Sequence, residues 1–314
     1  MKINDSVQYR NFYSMGTRID IILPGIDDHI AESVCLQIKS ELDRIEEKIS
    51  HYKESSVVSY LNQKAHTEPI KTDPEIFLLI NQLIGLSART SGYFDFGLGF
   101  LSENMKHASE TYHVVHDTMT TLSEIGARNI VLDHDENSVL FKSDKLKIDS
   151  GGFGKGYGLD TVKKILKALK IESAFISFGE SSILALGDHP YGKSWKTGIQ
   201  DIFSETSSLF VFTLANEALS VSGVNPKNKQ KYGVGHIINP HTGIAIDCFR
   251  QSAVAGNNGL IAEVVSTAIL CAPDESRHLI MEQFPEYRAI VIDYDQTNKP
   301  TITYTCNLND GENY

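Results

Sequence analysis

The chain has 314 residues, 41% of them hydrophobic and 22% charged, close to globular averages, which excludes disordered, collagen-like and disulfide-scaffold classes. Lys and Arg total 29 against 40 Asp and Glu, a net charge of −11 with no block of like charge, and this argues against a nucleic-acid partner. No run approaches about 18 apolar residues, so no membrane span is expected.

The first ten residues hold no apolar h-region, so the chain reads as cytoplasmic as given, or as a mature form whose leader has been removed. Cys35, Cys248, Cys271 and Cys306 lie far apart and predict buried free thiols.

In chain order, residues 18–23 (R-I-D-I-I-L) alternate as a strand and stop at Pro24-Gly25. Ile30, Val34, Ile38, Leu42, Ile45 and Ile49 recur at three- and four-residue steps, predicting a helix that Asp27 or Asp28 can cap. A second helix is predicted from Asp73-Pro74 through Ile76, Ile80 and Leu83 to about residue 90, where S-G-Y-F-D breaks it. The His-rich stretch 107–117 reads as a loop, and runs 129–133 and 138–141 flank a turn as a hairpin. Residues 145–149 lead into D-S-G-G-F-G-K-G-Y-G-L-D and an amphipathic helix carrying Leu159, Val162, Leu166 and Leu169. Short strands follow at 174–178, 182–186, 195–200, 209–214, 218–221 and 252–256, then helices at 260–271 and 277–283, a strand at 288–293 and a polar tail. Helices interleaved with hairpin-like strands predict an α+β fold of mixed, largely antiparallel sheets flanked by helices.

Three segments could carry chemistry. Glycine at 151, 152, 154, 156 and 158 exposes backbone N–H groups ahead of a helix start, with Lys155 among them, as a phosphate site requires. The same density also suits a tight strand-to-helix turn with a solvated lysine. Glu263 and Thr267 stand four apart on one face of an apolar helix, fit for Mg²⁺, or for a solvated edge with the Thr bonding back to its own helix. His236, in G-V-G-H-I-I-N-P-H-T-G, heads a predicted short strand and is a candidate general base or a structural His.

Taken together these segments resemble the FAD:protein FMN transferases, the ApbE-type flavin transferases, from Met15-Gly16-Thr17 to about Asp293. The matching motifs are M-G-T; S-H-Y followed by S-Y-L-N; S-G-Y-F-D; I-D-S-G-G-F-G-K-G-Y-G-L-D; S-F-G-E-S-S-I-L-A-L-G; S-V-S-G; H-I-I-N-P-H-T-G; and A-E-V-V-S-T-A. The resemblance implies a single domain over residues 1–314, with a core of about 12–295 and a short polar tail, in the T-fold-related architecture of that family. It implies FAD as substrate and a partner protein whose Thr or Ser hydroxyl attacks the FMN phosphorus and releases AMP. Met15, Tyr52, Tyr93, Phe94, Asp95, Asp149, Lys155, His236 and Ile237 would contact FAD, and His236 and Lys155 would serve the chemistry. The Gly152 carbonyl, Glu263 and Thr267 would hold Mg²⁺. A FAD pyrophosphatase and a non-catalytic FAD-binding module are the alternatives on the same scaffold.

The chain departs from the common pattern at several points. Glu263 replaces the usual Asp, and its extra methylene moves the carboxylate by about 1.5 Å. Ser150, Phe153 and Gly154 stand where Leu, Ile and Ala are common, Asn239 where Asp is common, and Val224-Asn225-Pro226 follow S-V-S-G in place of aromatic and acidic residues.

Overall fold

A computed structural model describes residues 6–107, 118–226, 230, 235–309 and 312. Two strands, β1 (Val7–Ser14) and β2 (Thr17–Pro24), precede helices α1 (Asp28–Ile49) and α2 (Val57–Lys64). Then come β3 (Ile70–Lys71), α3 (Pro74–Arg89), α4 (Gly99–His107), α5 (Thr118–Glu124), β4 (Ile130–Asp133), β5 (Ser138–Phe141) and α6 (Gly154–Ala168). Strands β6 (Ala174–Phe178), β7 (Ser182–Leu186), β8 (Trp195–Asp201), β9 (Ser204–Leu214), β10 (Glu217–Val224) and β11 (Arg250–Gly256) follow. The C-terminal part holds α7 (Gly259–Cys271), α8 (Asp274–Glu282), β12 (Arg288–Tyr294) and β13 (Pro300–Cys306).

An eight-stranded sheet in the order β1-β2-β6-β7-β10-β11-β12-β13, antiparallel at every pair, forms the frame. Its period-two alternation sorts side chains to two faces. Ile19, Ile21, Ile176, Phe178 and Leu184 pack against the apolar stripes of α1 and α6, including Val34, Ile38, Leu42, Leu159, Val162 and Leu166. Neighbours offset by one, Ile183, Ala185, Leu219, Ala253 and Ile290, face the β8–β9 hairpin through Trp195, Ile199, Phe210 and Phe212. Each large aliphatic side chain buried this way contributes about 1.5–3 kcal/mol. A smaller sheet, β3-β5-β4, packs with α3 beside this frame. The α+β expectation holds.

Several details differ from the sequence reading. Strand β1 was not expected: as an edge strand it exposes Val7, Tyr9 and Tyr13, which weakens the apolar half of its alternation. The C-terminal segment is more than a polar tail, since β13 pairs with β12 and the side chain of Glu312 is buried against Arg288. No strand starts at His236: Ile238 makes only an isolated bridge to Ala245. Asp27 takes the N-cap position of α1 without a side-chain capping bond, whereas Asp73 caps α3 through Glu75 N and Ile76 N. Cys35 and Cys271 are buried free thiols as expected, but Cys248 is exposed and Cys306 half-buried. Most of the expected 107–117 loop lies outside the described residues.

Candidate active site

The glycine-rich segment is a one-turn 3-10 helix, Ser150–Gly152, followed directly by α6. Its entry is pinned by Asn62 of S-Y-L-N, whose side chain accepts from Ile148 N at 2.7 Å and donates to Ile148 O at 3.0 Å. Asp149 closes the turn by accepting from Gly151 N at 2.8 Å. The later glycines serve packing. A Cβ on Gly156 would lie 2.3 Å from the Gly259 carbonyl oxygen, so α6 and α7 touch backbone to backbone and only glycine fits there.

That contact places Glu263. The start of α7 is held by Asp160 of α6, which accepts from Gly259 N (2.6 Å) and Leu260 N (3.0 Å), and by Asn258, which caps Ile261 N (2.8 Å). Burial pushes the Asp160 carboxyl up, and the two backbone donors oppose the shift. One turn into α7, Glu263 is 3% exposed and faces the start of α6. It accepts from Lys155 Nζ at 2.8 Å through Oε1 and from Gly156 N at 2.6 Å through Oε2. The solvated-edge alternative for Glu263 therefore fails. The phosphate cradle is also narrower than glycine density suggested, because the N–H groups of Gly151 and Gly156 are committed to carboxylates.

Thr267, one turn further, meets Ser222 Oγ at 3.2 Å, and Ser222 in turn lies 2.8 Å from Ser266 Oγ. Ser266 continues to Ser220 (3.2 Å) and accepts at its carbonyl from Ser252 (2.6 Å), so a ladder of hydroxyls runs from β10 and β11 under α7. These serines explain why the S-V-S-G segment carries small polar residues.

One cavity of about 1320 Å³ gathers eleven of the twelve expected site residues: Tyr52, Tyr93, Phe94, Asp95, Asp149, Gly152, Lys155, His236, Ile237, Glu263 and Thr267. Met15 is the exception. It sits at positive φ in the β1–β2 turn and packs beneath α6, its sulfur 2.9 Å from where a Cβ on Gly158 would be, and it is not among the cavity-lining residues. Asp95 lines the wall, but its carboxylate accepts from Gly97 N (2.8 Å) and Ala127 N (2.9 Å), which makes it a backbone anchor. Burial pushes its carboxyl up as well, against those two donors. Two aromatic rings present flat surfaces. Tyr93 is stacked on His241 at 4.1 Å, with its hydroxyl 3.2 Å from Ser276 Oγ, and Tyr52 is 72% exposed beside His51. His236 is exposed on the cavity wall.

The opposite wall was missed in the sequence. It comes from β6, the β8–β9 hairpin and β10, through Phe175, Thr197, Gln200, Asp201, Phe203 and Ser220. The buried Thr197 hydroxyl on this wall has no hydrogen-bond partner among the described residues. Only the alternation of β8 could have marked it, since Thr197 and Ile199 both point inward.

The ApbE family model matches residues 15–291. A FAD:protein FMN transferase of Vibrio cholerae is 25% identical over 281 residues, covering 86% of this chain and 82% of its own length. Another, of Rhodobacter capsulatus, is 23% identical over 269 residues, and there the match covers 84% of this chain but spans only 51% of the relative. Among solved structures, the flavin transferase ApbE from Vibrio cholerae superposes with a TM-score of 0.82 at 20% identity, over 96% of this chain and 97% of its own. The ApbE protein from Thermotoga maritima gives 0.79 at 22% identity, over 95% and 97%. These two structures share the fold, and with a family model matched over most of its length the chain belongs to the ApbE family.

Proposed function

We propose that this protein transfers the FMN portion of FAD to a Thr or Ser hydroxyl of an acceptor protein and releases AMP. The observation that carries the reading is the convergence on one cavity of a lysine, a buried carboxylate, flat aromatic rings and an exposed histidine, in a chain of this family. Tyr52, Tyr93 and Phe94 offer surfaces for a ring system, and Asp149 and Ile237 border the same space. The acceptor hydroxyl forms a new bond to the FMN phosphorus while the bridging P–O bond breaks and AMP leaves. Its proton passes to His236, whose imidazole suits a general base near neutral pH. Lys155, bonded to Glu263 at 2.8 Å, would pass its ammonium to a phosphate oxygen, where charge accumulates during the transfer.

The donor set fits Mg²⁺. No group of three or more His, Cys, Asp or Glu side chains able to hold a metal exists among the described residues, so a metal here relies on one carboxylate and neutral oxygens. Glu263, Thr267 and the Gly152 carbonyl provide these, a set of hard ligands suited to an ion that keeps waters or phosphate oxygens as well. Glu263 already stabilises a positive charge, that of Lys155. Held by these three residues, Mg²⁺ would neutralise charge on the pyrophosphate. No helix among the described residues is long and apolar enough to cross a membrane.

The test is to incubate the protein with FAD, with and without Mg²⁺, and to assay AMP alone and with a peptide bearing an acceptor Thr. Magnesium-dependent AMP with FMN retained on the denatured peptide is the expected result. AMP with only free FMN would make water the acceptor and replace transfer by hydrolysis. Tight FAD binding without AMP under any condition would leave a binding module.

A further inference from the structure

We propose that His51 is a positioning residue that clamps the glycine-rich turn to the Tyr52 ring and thereby sets how tightly FAD is held, an inference that rests on the flavin-transfer reading above. His51 Nδ1 lies 3.2 Å from Ser150 N and 3.1 Å from Ser150 Oγ. A backbone N–H can only donate, so Nδ1 accepts, which assigns the neutral ring with its proton on Nε2. The Ser150 hydroxyl, 3.1 Å from the same nitrogen, shares that single lone pair with the backbone N–H in a three-centre arrangement. This contact accounts for serine at a position where Leu is common.

Asp149 works from the other side. Its Oδ1 accepts from Gly151 N at 2.8 Å and lies 3.5 Å from His51 Nδ1, so the turn is closed from within by Asp149 and gripped from without by His51. A segment this rich in glycine carries large backbone freedom, and an external clamp removes it before a ligand arrives. The His51 side chain is 8% exposed, so water competes little for the bond. Its ring also packs against Tyr52, with centroids 3.8 Å apart and planes at 40°. Tyr52, Gly151 and Gly152 all line the cavity, so one side chain joins an exposed ring and a glycine turn that would face the same substrate.

His51→Phe keeps a ring against Tyr52 and removes the acceptor, while His51→Asn places an amide oxygen near the site of Nδ1 and removes the ring. The expected result is that H51F raises KM for FAD about tenfold with kcat changed less than about threefold, and that H51N recovers most of this loss. Backbone amide exchange over residues 148–152, read without flavin, should quicken about tenfold in H51F and stay near wild type in H51N. Ser150→Ala, which removes the hydroxyl and keeps the N–H, should shift KM the same way by roughly threefold. Exchange and KM unchanged in H51F overturn the proposal. So do equal losses in H51F and H51N with matching falls in melting temperature, which would leave His51 a packing residue. A wild-type protein that binds no FAD overturns instead the flavin reading, and the exchange measurement separates the two failures.

Discussion

Two buried glutamates, Glu263 and Glu312, each meet a basic side chain, and their surroundings differ in every respect that decides what such a pair can do. Glu312 has a fully buried side chain, and its partner Arg288 is 6% exposed. The Arg288 guanidinium also reaches Glu217 at 2.6 Å and Thr213 O at 3.3 Å, while Glu312 accepts from Thr213 N and Asn309 N at 3.0 Å each. Both carboxylate oxygens and both terminal guanidinium nitrogens there have partners, in a planar geometry that arginine favours. Glu263 is 4% exposed at its side chain, but its partner Lys155 is 28% exposed, on a flexible stem at the wall of a cavity. The first pair staples the C-terminal segment to β9 and β12. The second holds a charge that can be handed to something else.

The largest expected effect comes from breaking the staple. Glu312→Ala leaves Arg288 buried beside only Glu217 and should cost about 3–5 kcal/mol of stability, read from urea unfolding. Turnover per folded molecule should stay unchanged, because Glu312 is not among the residues that line the cavity. A loss below 1 kcal/mol would show that the two pairs are alike. Next in size is Glu263→Ala. Here the loss should appear in turnover, about 10²–10³-fold, with a smaller loss of stability than E312A, since the freed ammonium can reach water. Full magnesium-dependent turnover in E263A would remove Glu263 from the reaction.

The contrast between these pairs also marks what could be read from the chain. The helices were legible because their apolar stripes are regular: α1, α3 and α7 appear within a residue or two of the expected bounds. Glu263 and Thr267 stood out as candidates because a carboxylate and a hydroxyl interrupt an apolar helix at one helical turn, and both line the cavity. The staple did not, because Arg288 of β12 and Glu312 of the C-terminal segment are 24 residues apart with no motif or periodicity linking them. Lys155 illustrates a subtler limit. Glycine density located its turn, but only the close crossing of α6 and α7 at Gly156 and Gly259 reveals that the lysine meets a carboxylate. The β8–β9 wall stayed hidden because the run from Thr197 to Phe203 that lines the cavity, though contiguous, carries no glycine density, histidine or isolated polar pair on an apolar face to mark it.

A third substitution tests whether the Lys155 charge is exchangeable. Lys155→Met removes the cation that competes for Glu263, so Mg²⁺ should bind more tightly to the protein without FAD, by roughly threefold to tenfold given the partial exposure of the lysine. Isothermal titration reads this directly. FAD turnover should fall in the same variant, since the ammonium is then missing at the phosphate. Unchanged or weaker Mg²⁺ binding would mean that lysine and metal do not share the carboxylate.

The smallest effect lies in a third, exposed class of pair. Glu75 of α3 bonds Arg44 (2.7 and 2.8 Å) and Lys48 (2.7 Å) of α1 and accepts from Tyr157 of α6 at 3.0 Å, tying three helices on the surface. The Arg44 hydrogen bonds, first among several causes, hold its carboxyl down at about 2. The folded value lies below the ordinary one near 4.5, so this contribution is complete above about pH 4.5 and is lost as pH falls through about 2. Solvent screening limits it to about 1 kcal/mol, far below the staple. Glu75→Gln should therefore trail the wild type by about that amount at neutral pH, with the gap narrowing between about pH 4 and pH 2 as the wild-type carboxylate protonates. Urea midpoints across that range measure it. A gap that persists undiminished at the acid end would assign the effect to the shape of the hydrogen-bonded cluster and not to its charge.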